Sequence, residues 1–198
     1  RRGQEPVNLP AGVEDHEMYC QLRWRMCKAR QGIPETADID LSCVKYSRSG
    51  VCLGGVYFAN QADPENGIAH TGDQVTGAIG RADSEAITFL LSDLKPNVHA
   101  LFFVAMIYSA EQSFRSVQQC CVRMVDITER NKELCRYEKD DMELEANALI
   151  AVMLYRSGDG WRCKAVDESY VLPALSTYRK LDAQMSQLCL QTVPAEVP

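Results

Sequence analysis

Short runs of β-branched and aromatic residues recur along the whole chain, and they constrain its fold more than any other feature. Turn-forming clusters of Gly, Pro, Asn, Asp and Ser separate them, as at residues 48–50, 63–67 and 95–97. Many short strands with no helical segments between them are typical of two antiparallel sheets packed face to face. The sequence therefore predicts an all-β protein, a two-sheet β-sandwich. The predicted strands are residues 18–24, 39–46, 51–59, 86–91, 99–108, 118–127, 134–138, 148–156 and 161–166.

Alternation within these runs indicates which side chains face the core. Met18, Leu22 and Trp24 share one face of the first run, because successive side chains of a strand point to opposite sides. The sequence Ser-Gly-Asp-Gly at 157–160 lies between two runs and predicts a hairpin. The residues predicted to fill the core are Trp24, Phe58, Leu101, Phe103, Val122, Met124 and Leu154.

The last part of the chain has a different periodicity. From Pro173 large apolar residues recur at helical spacing, and proline suits the first turn of a helix. We therefore expect an N-terminal extension at 1–17, a sandwich domain at 18–170, and a C-terminal amphipathic helix and tail at 171–198, with the helix over 173–189. The helix either packs on its own domain or docks on a partner protein. Its apolar stripe comprises Leu175, Tyr178, Leu181, Met185 and Leu188.

Size and charge exclude several classes of protein. At 198 residues the chain suits one well-packed domain. Its net charge of −6 argues against nucleic acid as a partner, because a phosphate-binding face is basic. The longest apolar run, residues 99–108, is much shorter than the roughly 18 residues of a membrane-spanning helix. We therefore expect no membrane insertion.

The nine cysteines are typical of a reducing environment. Their odd number, irregular spacing and lack of a C-x-x-C pair fit neither a secreted disulfide framework nor a zinc or redox motif. Most lie in apolar or alternating runs, where a thiol behaves as a small hydrophobic group. We therefore expect the cytoplasm or another reducing intracellular compartment. Because the first residue is Arg1, we expect a processed or trimmed N-terminus, and an organelle reached through a removed targeting segment is the alternative.

A glycine-rich loop at residues 70–77, His-Thr-Gly-Asp-Gln-Val-Thr-Gly, places a carboxylate close to glycines. Two pairs of acids lie before and after it, each pair two residues apart, so that a strand points both members to one face. A bound cation would offset their repulsion, and ligation by oxygen alone suits calcium better than zinc. We therefore predict a site for one or two calcium ions. The candidate ligands are Asp38, Asp40, Asp73, Asp83 and Glu85.

Other interpretations of these acids stay open. They are also typical of solvated carboxylates at strand ends. Magnesium is a rival ion, although it keeps more of its water and demands octahedral geometry. A third alternative replaces the ion with a salt bridge, from Arg25 or Arg81 to Asp38 or Asp83.

Several short motifs occur in a fixed order along the chain. They are Asp38-Ile-Asp40-Leu-Ser42, Tyr57-Phe-Ala-Asn60, Gly67, His70-Thr-Gly-Asp-Gln-Val-Thr-Gly77, Asp83-Ser-Glu85-Ala-Ile87, Tyr108-Ser-Ala-Glu111 and Met153-Leu-Tyr-Arg156, followed by Gly160-Trp161, Ala165-Val166 and Tyr170. With this order and spacing, residues 18–170 resemble the TerD family of tellurium-resistance and stress-response proteins. The resemblance implies a β-sandwich whose acidic loops cluster at one end and bind calcium. It attaches no enzymatic reaction to the chain.

The sequence departs from the family pattern at several acidic positions. Gln74 replaces the family's Asn, and Arg25 replaces an Asp after Trp24. The stretch 77–81 carries an added residue and a positive charge, and 139–143 differs from the family's acidic stretch. The resemblance therefore implies that one of two family sites is weakened or lost.

Signals for catalysis are weak. We expect His70 to bond a turn rather than to act as an acid or base. A Cys–His nucleophile would need a cysteine beside His16, His70 or His99, which nothing in the sequence indicates. The sequence therefore predicts a protein that is not an enzyme.

Two hypotheses for the function follow. In the first, the chain is a calcium-binding stress-response or signalling domain that acts through contacts with other protein subunits. In the second, it is a structural subunit of a larger assembly that keeps the fold with a partly degraded calcium site.

Overall fold

The computed structural model describes residues 5–27, 37–72, 83–109, 112–140, 145–158 and 160–193. These residues form two six-stranded sheets whose paired strands are antiparallel. The strands are β1 (Val7–Asn8), β2 (Glu17–Met26), β3 (Ile39–Tyr46), β4 (Cys52–Val56), β5 (Ala62–Asp63), β6 (Ile68–His70), β7 (Asp83–Leu90), β8 (Ala100–Ile107), β9 (Val117–Asp126), β10 (Lys132–Asp140), β11 (Ala148–Ser157) and β12 (Gly160–Tyr170). Sheet one has the order β1-β12-β11-β8-β3-β4, and sheet two has the order β10-β9-β2-β7-β6-β5.

The predicted sandwich is confirmed. Each of the nine predicted runs contains a strand, and the predicted hairpin joins β11 to β12 with Ser157 paired to Gly160. The sequence analysis missed β1, β5 and β6, which have only two or three residues each. Such short segments contain too few residues to show alternation. They are defined as strands by their pairing, of β1 with β12, of β6 with β7 and of β5 with β6.

The main core fills the space between the sheets. Six of the seven predicted core residues are at most 1% exposed, and they lie together in one apolar cluster. Phe58 is the exception, because β4 ends at Val56 and the chain turns between Tyr57 and Asn60. Its ring is half-buried outside the core. The prediction that Phe58 is a core residue was therefore wrong.

A second apolar cluster covers the outer face of sheet one. Alternate side chains of β3, β8 and β11 that point away from the main core, such as Val44, Tyr46 and Phe102, are all buried. The C-terminal segment covers them. It contains a 3₁₀ helix, Tyr178–Leu181, that continues into α1, Asp182–Leu190. The tail therefore packs on its own sandwich.

The predicted tail helix was too long at its N-terminal end. Residues 173–177 are not helical, and Leu175 is 59% exposed with a backbone φ of 58°. This left-handed conformation interrupts a helix before it can begin. The other members of the predicted stripe are buried, namely Tyr178, Leu181, Met185 and Leu188.

The residues before 18 contribute to the sandwich at two points. Val7 and Asn8 pair with Cys163 and Arg162 at the edge of sheet one. Val13 is 1% exposed and joins the main core. This segment therefore lies against both sheets rather than apart from them.

The nine cysteines are free thiols, and seven of them are buried. Cys120 and Cys121 are adjacent in β9, with Cys120 in the main core and Cys121 beside the guanidinium of Arg136 on the outer face. Burial raises the pKa of Cys120 to about 12, so this thiol stays protonated near neutral pH. Among the described residues, no helix is long and apolar enough to cross a membrane.

An ion pair fixes the start of β2. His16 Nδ1 lies 2.7 Å from Asp126 Oδ2 at the end of β9. The hydrogen bond to Asp126 raises the pKa of His16. Burial acts to raise the pKa of Asp126, but the bonds from His16 and the Glu129 N–H outweigh it and lower that pKa overall.

We expect this pair to make stability depend on pH. A histidine whose pKa is higher in the folded chain than in the unfolded chain stabilises the fold. This contribution is complete below the unfolded pKa of about 6.5 and is lost as the pH rises through the higher, folded pKa. An aspartate whose pKa is lower in the folded chain also stabilises the fold. Its contribution is complete above the unfolded pKa of about 3.9 and is lost as the pH falls through the lower, folded pKa. His16→Asn should therefore reduce the melting temperature more at about pH 5 than at about pH 8. Equal decreases at both values would contradict this assignment.

Candidate metal-binding end of the sandwich

Four strand ends that flank the predicted acidic segments lie at the same end of the sandwich. The end of β2 is beside the start of β7, because Trp24 pairs with Asp83. The end of β6 joins them, since His70 pairs with Ile87. The start of β3 lies across the core, where the Leu41 N–H donates to the carboxylate of Glu85. We call this region the acidic end.

Asp40 lies on the outer side of β3. Its neighbours Ile39 and Leu41 point into the main core, so the side chains of Asp40 and Ser42 point away from it. Asp40 is nevertheless only 5% exposed. Asp38 precedes the strand and continues its ladder, with its carbonyl accepting from the Tyr108 N–H at 3.1 Å. The prediction that Asp38 and Asp40 share one side rests on strand alternation, and Asp38 lies just before the first residue of β3.

Glu85 points the other way, into the core. It is 1% exposed and pairs across the sheet with Leu22, whose side chain is also buried. Its Oε2 accepts a 2.7 Å hydrogen bond from the Leu41 N–H. Because Glu85 lies in sheet two and Leu41 in sheet one, this bond holds the two sheets together at the acidic end.

His70 is the second partner of Glu85. Its Nδ1 accepts from the Gly72 N–H at 3.1 Å, which confirms the predicted bond to a turn. With Nδ1 as the acceptor, a neutral ring carries its proton on Nε2. Nε2 lies 3.3 Å from Glu85 Oε2 without forming a hydrogen bond, so the contact is electrostatic. Both side chains are fully buried.

The sequence analysis missed the contact between His70 and Glu85. In the structure Ile68 and His70 are buried while Ala69 is exposed, but three residues are too few for the sequence to show this. The identity of the partner depends on the pairing of β6 with β7. Strand register is a tertiary property that a single run does not specify.

The five candidate ligands are only partly described by the structure. Asp73 lies outside the described residues, as do Gln74 and Arg81, and for Asp83 only the backbone is described. Arg25 is exposed on sheet two, on the opposite side of β2 from Trp24.

The described ligands do not all converge. Asp40 and Glu85 lie on opposite sides of β3, so the structure does not bring them to one point. Within the described part of the chain, no three His, Cys, Asp or Glu side chains come close enough together to hold a metal ion. Glu85 therefore lies on the core side of β3, where its Oε2 accepts from the Leu41 N–H, and apart from Asp40 on the outer side.

The three histidine side chains have non-cysteine partners. His70 contacts Gly72 and Glu85, His16 contacts Asp126, and His99 Nε2 lies 3.1 Å from the hydroxyl of Thr192. Burial lowers the pKa of His99, with help from Arg48 and Arg156. These contacts are those of structural histidines.

Comparison of the sequence with known proteins identifies its family. A profile of the TerD domain matches residues 3–177. The chain is 36% identical over 140 residues to General stress protein 16U of Bacillus subtilis, covering 67% of this chain and 71% of that protein. It is 27% identical over 148 residues to Tellurium resistance protein TerD of Serratia marcescens, covering 72% and 76%.

A solved structure shares the fold. The crystal structure of a homologue of telluride resistance protein (TerD) from Streptomyces coelicolor superimposes with a TM-score of 0.65 at 18% identity. The superposition covers 86% of this chain and 97% of that one. The match of the profile over most of the sequence and the shared sandwich lead to one conclusion: the chain belongs to the TerD domain family.

Proposed function

We propose that this chain is a calcium-binding stress-response domain that acts through contacts with other proteins. Named relatives are general stress and tellurium resistance proteins, which supports the stress-response role. The observation that carries the calcium proposal is the topology of the acidic end. The segment containing His-Thr-Gly-Asp connects the end of β6 to the start of β7, beside the start of β3 that Asp38 and Asp40 flank.

Asp38, Asp40, Asp73 and Asp83 are the residues that would hold the ion. They supply only carboxylate oxygens, the ligands that calcium prefers, and they come from three different segments of the chain. Glu85 was also a candidate, but its Oε2 already accepts from the Leu41 N–H. We assign Glu85 and His70 the role of holding the two sheets together beneath the site.

Calcium at this end would neutralise the clustered carboxylates. The acidic segments would then present a less negative surface to a partner, which gives the domain a way to respond to calcium. The chain's own part in this is structural, because the bond between Glu85 and Leu41 keeps the ends of β3 and β7 at a fixed separation. The proposal includes no catalytic step.

We expect calcium to raise the melting temperature of chelated protein. A ligand that binds only the folded state stabilises it by RT ln(1 + [L]/Kd), about 2.7 kcal/mol at a hundredfold excess over Kd. For a chain of this size, that corresponds to a shift of roughly 5–11 °C. Differential scanning fluorimetry after EGTA treatment, with calcium added to millimolar concentration, measures it.

Two variants, each of which removes one negative charge, test where calcium binds. Asp73→Asn should abolish most of the calcium-induced shift. Asp15→Asn is the matched control, because Asp15 is exposed before the start of β2, at the other end of the sandwich. An unchanged melting temperature for the parent protein, or equal losses in both variants, would contradict the proposed site.

A second candidate function is supported by a specific observation. Glu85 Oε2 accepts from the Leu41 N–H and lies beside His70 Nε2, so protein groups connect the two sheets at the acidic end. This favours a structural subunit that keeps the fold with a partly degraded calcium site. Such a subunit would have the same melting temperature in calcium and in EGTA. It would still elute together with its partner subunits in size-exclusion chromatography.

A further inference from the structure

A surface depression on the outer face of sheet two is lined by four arginines and one carboxylate, Glu138. Three neighbouring strands, β2, β9 and β10, supply these side chains. The whole chain has a net charge of −6, so this concentration of positive charge differs from the rest of the protein. Nothing in the calcium proposal uses it. The arginines are Arg23, Arg25, Arg123 and Arg136.

Strand alternation brings Arg23 and Arg25 to this face together. Trp24, which lies between them, is 1% exposed and belongs to the main core, so the two arginine side chains point outward. Both residues are exposed. In the ladder between β2 and β9, Arg23 is opposite Cys121 and Arg25 is opposite Gln119. The two arginines therefore line the depression from the same strand.

The short side chain of Cys121 makes room for the depression. Cys121 is 6% exposed, and the residues opposite it on the two adjacent strands are the longer Arg23 and Glu138. Arg136 also reaches it, with Nη1 at 3.4 Å from Cys121 Sγ. The enclosed volume is about 140 Å³, roughly ten times the smallest cavity that holds one water. This leaves room for an anion of the size of phosphate.

Two of the arginines are held in place by neighbouring side chains. Arg136 donates from Nε and Nη2 to the two oxygens of Glu133, each at 2.8 Å. Its Nη1 donates to Glu138 Oε2 at 2.8 Å. Arg123 donates from Nε and Nη2 to Gln21 Oε1, at 3.0 and 2.8 Å. These bonds fix two positive charges beside the depression and engage the carboxylates of Glu133 and Glu138.

The other two arginines lack such partners. Among the residues that the structure describes, neither Arg23 nor Arg25 forms an ion pair or a side-chain hydrogen bond. Asp140 is the next acid along this face, but it lies two strands from Arg25, on the far side of Gln119. A guanidinium group binds two oxygens of a phosphate or carboxylate with parallel hydrogen bonds. Two such groups without partners, beside two that are fixed, favour an anionic ligand.

We propose that this depression binds a phosphate-type dianion, with the guanidinium groups of Arg23 and Arg25 as its hydrogen-bond donors. Arg123 and Arg136 add fixed positive charge. A single depression of this volume suits one phosphate group. Two sources carry this chemistry, a free phosphate or small phosphate ester and a phosphorylated side chain of another protein. The proposal is independent of calcium, so the protein is tested after chelation with EGTA and removal of the chelator.

Titration of the full chain with sodium phosphate near neutral pH tests the proposal. The backbone amide and side-chain Nε–H NMR shifts of Arg23 and Arg25 are followed, while sodium chloride keeps the ionic strength constant. We expect saturable shifts with phosphate and none with chloride alone. The peptide N-acetyl-Gly-phosphoserine-Gly-amide separates the sources. Binding tighter than that of phosphate indicates a phosphorylated protein, and equal or weaker binding indicates a free anion.

Variants test the assigned residues. Arg23→Gln and Arg25→Gln should each weaken phosphate binding by about tenfold or more, the usual cost of losing hydrogen bonds between charged groups. Arg25→Lys keeps the charge but not the paired donors, so it should also weaken binding. Arg162→Gln is the matched control, because it removes the same charge from an exposed arginine of β12 in sheet one. It should leave the affinity unchanged.

Four results would overturn the proposal. They are the absence of saturable shifts with phosphate, unchanged affinity in a folded Arg23→Gln or Arg25→Gln variant, full affinity in Arg25→Lys, and an equal loss in Arg162→Gln. Circular dichroism shows whether each variant folds, and both target arginines are exposed, so their replacement leaves the core intact. A failure of the calcium test would leave this experiment unaffected, because no calcium is present in it.

Discussion

Deletion of residues 172–198 is expected to prevent the sandwich from folding stably. Tyr178, Leu181, Met185 and Leu188 are each at most 9% exposed in the second apolar cluster. Burial of a large apolar side chain contributes about 1.5–3 kcal/mol, so the four together contribute roughly 6–12 kcal/mol as an upper estimate. That is comparable with the whole stability of an ordinary domain, about 5–15 kcal/mol. Expression yield and urea unfolding of the truncated chain measure the loss.

Polar contacts add to this attachment. Tyr46 donates to the Asp182 carboxylate at 2.6 Å, and Ser186 donates to the Gly50 carbonyl at 2.7 Å. Without the tail, the outer face of sheet one would expose Val44, Tyr46 and Phe102 to water. An apolar patch of this kind promotes aggregation.

If the truncated chain cannot be produced, single substitutions in the tail measure the same packing. Met185→Ala should cost about 2–5 kcal/mol, whereas Leu175→Ala should have little effect because Leu175 is 59% exposed. A truncated chain that keeps its stability and loses only its association with a partner would show that the tail is a docking element. That outcome would contradict the packing described above.

The sandwich was predictable because strand alternation is a local property. Met18, Cys20, Leu22 and Trp24 alternate with polar residues, and all four are buried in the main core. In β8 the run ALFFVAMI has no alternation, and every one of its residues is buried. Such an uninterrupted run indicates a strand covered on both faces, but only the packed tail shows what covers the outer face.

The candidate site was predictable only in part. The acidic segments could be recognised as motifs, and alternation in β3 correctly turns Asp40 away from Ile39 and Leu41. The direction of Glu85 depends on the register of β7 with β2, which places it opposite Leu22. The contact of Glu85 with His70 and its hydrogen bond from the Leu41 N–H each join two different strands. Periodicity within one segment carries no information about such contacts.

Phe103→Ala should destabilise the protein by about 3–5 kcal/mol, the cost of a large cavity in a packed core. Phe103 lies in the central strand β8, is fully buried, and has its ring centroid 5.7 Å from that of Phe89 in the opposite sheet. Because β3 and β11 flank β8 on both sides, the backbone has little freedom to close the cavity. For a chain of this length the melting temperature should fall by roughly 6–20 °C.

Phe58→Ala provides the matched control. It removes the same atoms from a half-buried ring outside the main core, so the loss of stability should be well below that of Phe103→Ala. Urea unfolding of both variants, analysed with a common slope, gives the two free energies. Equal losses would mean that Phe58 contributes to the core as much as Phe103 does. Such a result would contradict the position of Phe58 outside the main core.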